Sequence, residues 1–99
     1  MILTLEEIKI HLRLPLDPDI EIDTQLEDIE AAAVDYASMY LNRDIPWDSN
    51  GVPASVKQAL LLIIGDMFEN REGQNTQAQY HQNQAVERLL HFYRVEIGI

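Results

Sequence analysis

From Val52 to Arg71 the chain reads VPASVKQALLLIIGDMFENR, and this stretch constrains the fold more than any other. Pro53 suits the first turn of a helix, where a missing N–H costs nothing. An apolar block, Ala59 to Ile64, follows with no further proline. At helical spacing Val56, Leu60, Ile63 and Met67 fall on one line, and Leu61, Ile64 and Phe68 on a second beside it. Two adjoining lines make a wide apolar arc, which demands more than one packing neighbour. Burying about six such side chains at roughly 1.5–3 kcal/mol each is a gross stabilisation on the order of 10–15 kcal/mol. This is the expected central helix.

Two of its residues depart from a simple core pattern. Leu62 projects among Ser55, Gln58, Asp66 and Glu69, the side expected to face water. It is either a lone exposed leucine or a contact with another subunit. Arg71 ends the helix in line with the apolar arc. It serves either as a cation at the negative end of the helix dipole or as a guanidinium clamping a carboxylate.

The other segments supply neighbours for this helix. Thr4 and Glu7 form a capping box, and Leu5, Ile8 and Leu12 give a short helix that ends before Pro15. Leu14 to Ile22 holds two prolines and is expected as a loop. Asp23 is the expected N-cap of a second helix reaching about Leu41. Its apolar set is Leu26, Ile29, Ala33, Tyr36, Ala37 and Tyr40, with Glu27, Asp28, Asp35 and Ser38 opposite. Asn42 to Gly51 is a connection with Pro46 and an Asn-Gly turn signal, from which Trp47 is expected to fold back and plug the end of a bundle. Glu72 to Gln82 is polar, rich in Gln and Asn, and expected as a long mobile loop. Asn83 can cap a last helix with Val86, Leu89, Leu90 and Tyr93 on one stripe. The tail from Arg94 to Ile99 is apolar enough to pair with something, with Val95 to Ile97 a weak edge-strand candidate. The expected fold is all-α: one domain, residues 1–99, of about four helices.

Composition narrows the function. Seventeen acidic against seven basic residues give a formal charge of −10. That opposes tight binding of nucleic acid, which rests on cations at phosphates, and a polybasic membrane anchor. Without cysteine there is no disulfide or thiolate chemistry. The N-terminus meets acidic residues too soon for a secretory signal, and no apolar run reaches the ~18 residues of a membrane span. Asp17 to Asp23 alternates carboxylates, but Ile22 stands where a calcium loop needs glycine and Asp28 where it needs the closing glutamate. His11, His81 and His91 have no ligand spacing. Ser38, Ser49 and Ser55 lack a nucleophile elbow, and no phosphate loop appears. The expectation is no metal, no cofactor and no enzyme.

The order of the segments resembles the small head–tail connector (adaptor, head-completion) proteins of long-tailed bacteriophages and prophages. The residues that carry the resemblance are Leu3, Thr4, Glu7, Lys9 and Leu12; Tyr40, Leu41 and Arg43; Pro53, Phe68, Glu69, Asn70, Arg71 and Glu72; and Leu89, Leu90, Tyr93, Arg94 and Val95. They span nearly the whole chain, while the acidic loop and Trp47 have no counterpart in the pattern. The resemblance implies a virion protein, assembled in the host cytoplasm, that forms a ring of roughly twelve subunits through a heterologous interface. Such a ring sits under the portal protein, extends the DNA channel and offers a platform to the next head-completion or tail protein. DNA is then a passenger in transit, and no membrane is involved. Candidate subunit or portal contacts are Leu62, Arg71, Tyr93, Arg94 and Val95, and candidate channel-facing acids are Glu27, Asp28 and Asp35. A channel wall of like charge to the phosphates lets DNA slide. The polar segment Glu72 to Gln82 is read either as a piece that orders on meeting a partner or as a plain linker. The alternative function is a small acidic helical binding module, a regulator or DNA mimic that occupies a basic partner.

Overall fold

The computed structural model describes residues 2–46, 51–69 and 84–95. Among these there are four helices and no strand: α1 (Leu5–Leu12), α2 (Ile20–Leu41), α3 (Ala54–Glu69) and α4 (residues 84–90). A single 3-10 turn, His91–Tyr93, extends α4. The all-α bundle expected from the apolar periods is the observed fold.

α1 begins with the capping box. The Glu7 N–H donates to Thr4 Oγ1 at 3.1 Å, and the Thr4 N–H donates back to Glu7 Oε1 at 3.2 Å. The helix ends at Arg13, left-handed at φ 60°, whose N–H donates to the Ile10 carbonyl at 3.2 Å. Leu3 and Ile8 are fully buried, and Leu5 and Leu12 are half-buried against the same core.

α2 starts earlier than the expected Asp23 cap. Asp19, in extended conformation directly after Pro18, is the N-cap, and its Oδ1 accepts from the N–H groups of Glu21 and Ile22 at 3.1 and 3.2 Å. Asp23 therefore lies inside the first turn, its own N–H donating to the Asp19 carbonyl at 2.7 Å. Residues 20–22, expected in a loop, are helical because Asp19 offers the same carboxylate acceptor four residues sooner. The buried line of α2 is Leu26, Glu30, Ala33, Ala37 and Leu41. Ile29 and Tyr40 are half-buried, and Tyr36, expected on the apolar side, is 43% exposed. Ala33 and Ala37 are fully buried, while Tyr36 leaves the helix on the flank of their line. α2 closes on Asn42, left-handed at φ 59°, as C-terminal Asn often is.

α3 packs against both α1 and α2, and most extensively against α2. Its first intrahelical bond runs from the Lys57 N–H to the Pro53 carbonyl at 3.0 Å, so Pro53 stands just before the helix. Val56, Ala59, Leu60, Ile63 and Ile64 are buried, and Leu61, Met67 and Phe68 are half-buried against the core. Leu62 is also half-buried and packed against the core, not turned to water as its position on the wheel suggested. Neighbours cover more of α3 than its two apolar lines. Gly65 faces α1, where an added Cβ would make only ordinary contacts, with His11 Nε2 at 3.6 Å and Leu12 Cδ2 at 3.8 Å.

α4 contributes Val86 and Leu90 to the core, with Leu89 and Tyr93 half-buried beside them, the stripe read from the sequence. The expected positions of Trp47, of the segment Glu72 to Gln82, of the Asn83 cap and of residues 96–99 lie outside the described residues.

Candidate assembly surfaces

The expected contact residues at the end of the chain are held by α2. After the 3-10 turn the backbone extends, and the Val95 N–H donates to the Leu41 carbonyl at 2.9 Å. Asn42 Nδ2 donates to the Val95 carbonyl, also at 2.9 Å. Both backbone groups of Val95 are thus used, which pins the tail to the last turn of α2. The Arg94 guanidinium lies 4.9 Å from the centroid of the Tyr40 ring, a cation–π contact. Tyr93 is half-buried, while Val95 is 41% exposed and Phe92 88% exposed, its ring edge-on to His91 at 5.6 Å. With Met39 at 71% exposure, this end of the molecule shows large apolar side chains to solvent. Arg71, the other cationic candidate, lies outside the described residues.

The acidic candidates Glu27, Asp28 and Asp35 are all exposed on α2. Asp28 and Asp35, seven residues apart, project nearly opposite the line of Leu26, Ala33 and Ala37, whereas Glu27 lies toward one flank. On that flank an open groove of about 540 Å³ runs between Ile2, Val34 and Ile45, with Asp35 and Asp44 among its walls.

Two polar devices escaped the sequence reading. Glu30 is only 4% exposed, yet its Oε2 accepts from the N–H groups of Ile2 and Leu3 at 2.8 and 3.1 Å. A carboxylate on the buried line of an amphipathic helix is itself a signal, because burial without partners is costly. Lys9, also 4% exposed, places its ammonium 2.7 Å from Asp23 and donates to the Asp17 carbonyl at 3.2 Å. The hydrogen bond from Lys9 is the main cause that holds the Asp23 carboxyl below the usual carboxylate range. The acidic run considered for calcium is therefore organised by an internal ammonium and a helix cap.

Among the described residues no group of three or more His, Cys, Asp or Glu side chains is arranged to hold a metal ion. Nor is any helix among them long and apolar enough to cross a membrane. Ser38 and Ser55 are half-buried on helices, and Ser49 and His81 lie outside the described residues. Among the described residues the surface shows large apolar side chains where the tail docks on the end of α2, and exposed carboxylates along α2.

Residues 2–94 match the family described as "Phage gp6-like head-tail connector protein". Over 63 residues the chain is 36% identical to the head completion protein gp6 of Enterobacteria phage HK97, an alignment covering 64% of this chain. The chain aligns with 57% of the length of that relative. No solved structure matches. The family match runs from the N-terminal segment clamped by Glu30 to Arg94 over Tyr40, and so takes in every helix described; this protein belongs to the phage gp6-like head-tail connector family.

Proposed function

We propose that the protein is a structural joint of the phage particle, a ring of roughly twelve copies between the portal of the filled head and the tail or the next head-completion protein. The observation that carries this reading is the family match over residues 2–94, which takes in the whole described bundle. In this reading the chain turns over no substrate and needs no cofactor. Its work is to hold two neighbours and to leave a passage for DNA.

The charge supports the passage. With a net charge of −10 and Glu27, Asp28 and Asp35 exposed on one helix, a channel lined by α2 repels phosphate instead of releasing its counterions. The docked tail supplies the axial contact: Tyr93, Arg94 and Val95 are held in a fixed position by Tyr40, Leu41 and Asn42. Leu62 has only its outer edge to offer a neighbour, since the rest is packed within its own bundle.

Native mass spectrometry across protein concentration, with and without purified portal protein, tests the proposal. A closed ring, alone or on the portal, is the expected result. A monomer or dimer that ignores the portal at every concentration overturns it and favours an acidic module that occupies a basic partner.

A further inference from the structure

A chain that carries seventeen acids and seven bases repels its own copies over most of its surface. Close contact between copies is favoured where an exposed cation of one lands on carboxylates of the other. Lys9 is buried on Asp23, Arg43 and Lys57 are half-buried, Arg94 lies on the Tyr40 ring, and Arg71 lies outside the described residues. Arg88 is exposed in a cleft beside Glu87 and His91. Arg13 differs. It is exposed at the turn after α1, between Ile10 at 60% and Leu16 at 54% exposure, with Ile20 at 86% shortly beyond. This short stretch is a basic residue set among large, uncovered apolar side chains.

The groove beside α2 has the opposite character. Ile2, Val34 and Ile45 supply apolar wall, and Asp35 and Asp44 are exposed carboxylates on it. Among the described residues lining it none is basic, and the third carboxylate, Glu30, is already engaged by the Ile2 and Leu3 N–H groups. Its chemistry therefore calls for an apolar segment bearing a cation.

We infer that the groove receives the Ile10–Leu16 stretch of a second copy, with Arg13 between Asp35 and Asp44 and the flanking Ile10 and Leu16 against Ile2, Val34 and Ile45. Asp35 then belongs to the subunit contact, and Glu27 and Asp28 are left to face the channel. This deepens, and rests on, the ring reading above. The two patches are different and lie toward opposite ends of α2. From Ile20 to Ser38, on the groove wall, the helix rises by about 27 Å at ~1.5 Å per residue. Contact between unlike patches at opposite ends of a subunit is heterologous and propagates from copy to copy until the rotation closes a ring. The strong mutual repulsion elsewhere makes the contact dependent on this one complementary pair, which favours dissociated subunits until a template raises their local concentration.

The test uses the absence of cysteine in the chain. Pro15→Cys and Ser38→Cys are introduced together and treated with a short bismaleimide. Within one chain Pro15 lies beside Asp19 and Ile22 at the start of α2, and Ser38 lies near its other end, so the expected product is a ladder of covalent oligomers at concentrations where rings form. Mixing the two single variants should give a dimer and no ladder. Rings seen by native mass spectrometry without a ladder, or a dimer from Pro15→Cys alone, overturn this interface and leave the ring reading standing. Absence of self-association both in solution and on the portal overturns both. A charge swap gives a second arm. Arg13→Glu should weaken self-association about tenfold or more, and Asp35→Lys with Asp44→Lys should restore it in the Arg13→Glu background. Failure of that rescue, with each variant folded by circular dichroism, also overturns the pairing.

Discussion

The ammonium of Lys9 sits 2.7 Å from the carboxylate of Asp23, and it ties the end of α1 to the first turn of α2 across the proline-bearing turn between them. Because the bond holds the Asp23 carboxyl below its ordinary range, its contribution is complete above that range and is lost as pH falls through the lowered value. Lys9→Met removes the cause of the shift. Urea midpoints measured across the acidic range should fall less steeply for Lys9→Met than for the parent protein. Parallel curves would show that the pair contributes nothing to acid stability.

Glu30 anchors the N-terminal segment through the Ile2 and Leu3 N–H groups. Glu30→Ala leaves the Ile2 and Leu3 N–H groups without their acceptor and should cost about 1–3 kcal/mol. Glu30→Gln keeps an oxygen acceptor and should cost distinctly less. Urea unfolding of the two variants, with amide exchange at Leu3 as the local readout, measures the difference. Equal losses would mean that the charge, not the acceptor, matters.

The two leucines of α3 that sequence patterning treated differently also differ in the structure, though by less. Leu60 is fully buried, and Leu60→Ala should cost about 2–5 kcal/mol, a large share of the ~5–15 kcal/mol typical of a domain. Leu62 is half-buried, and Leu62→Ala should cost clearly less in the isolated subunit. Thermal and urea unfolding rank them, and a Leu62→Ala loss equal to that of Leu60→Ala would mark Leu62 as part of the core.

Gly65 lies inside α3 facing His11 and Leu12 at ordinary contact distances for an added Cβ. Gly65→Ala should therefore raise stability by about 0.5–1 kcal/mol, the helix-propensity difference. A decrease in the urea midpoint would show that α1 needs the extra room.

Asn42 combines a left-handed backbone with the bond to Val95. Asn42→Gly retains the backbone freedom and loses only the bond, so it should free the tail with little global cost. Asn42→Ala should cost about 1–2 kcal/mol more, because a Cβ disfavours that conformation. Hydrogen exchange at Val95 reads the tail, and urea unfolding reads the whole. Unchanged protection at Val95 in Asn42→Gly would show that the Leu41 carbonyl alone holds it.

Helix number, the order of the segments, the capping box at Thr4 and the stripe of α4 were legible in the sequence, because they follow from local spacing and local hydrogen bonds. So was the family, since its short motifs recur in fixed order along one chain. Tertiary structure decided the rest. Asp19 and Asp23 are equally good caps by composition, and the choice fell to Asp19 while Asp23 was taken by Lys9, a residue of another helix. Glu30 looked misplaced on an apolar line until the backbone of Ile2 and Leu3 was brought to it. Leu62 pointed to water on an isolated wheel, and the actual neighbours half-covered it. Periodicity reports only the direction in which a side chain leaves its own helix. What lies in that direction depends on segments distant in sequence, and only the folded chain brings them there.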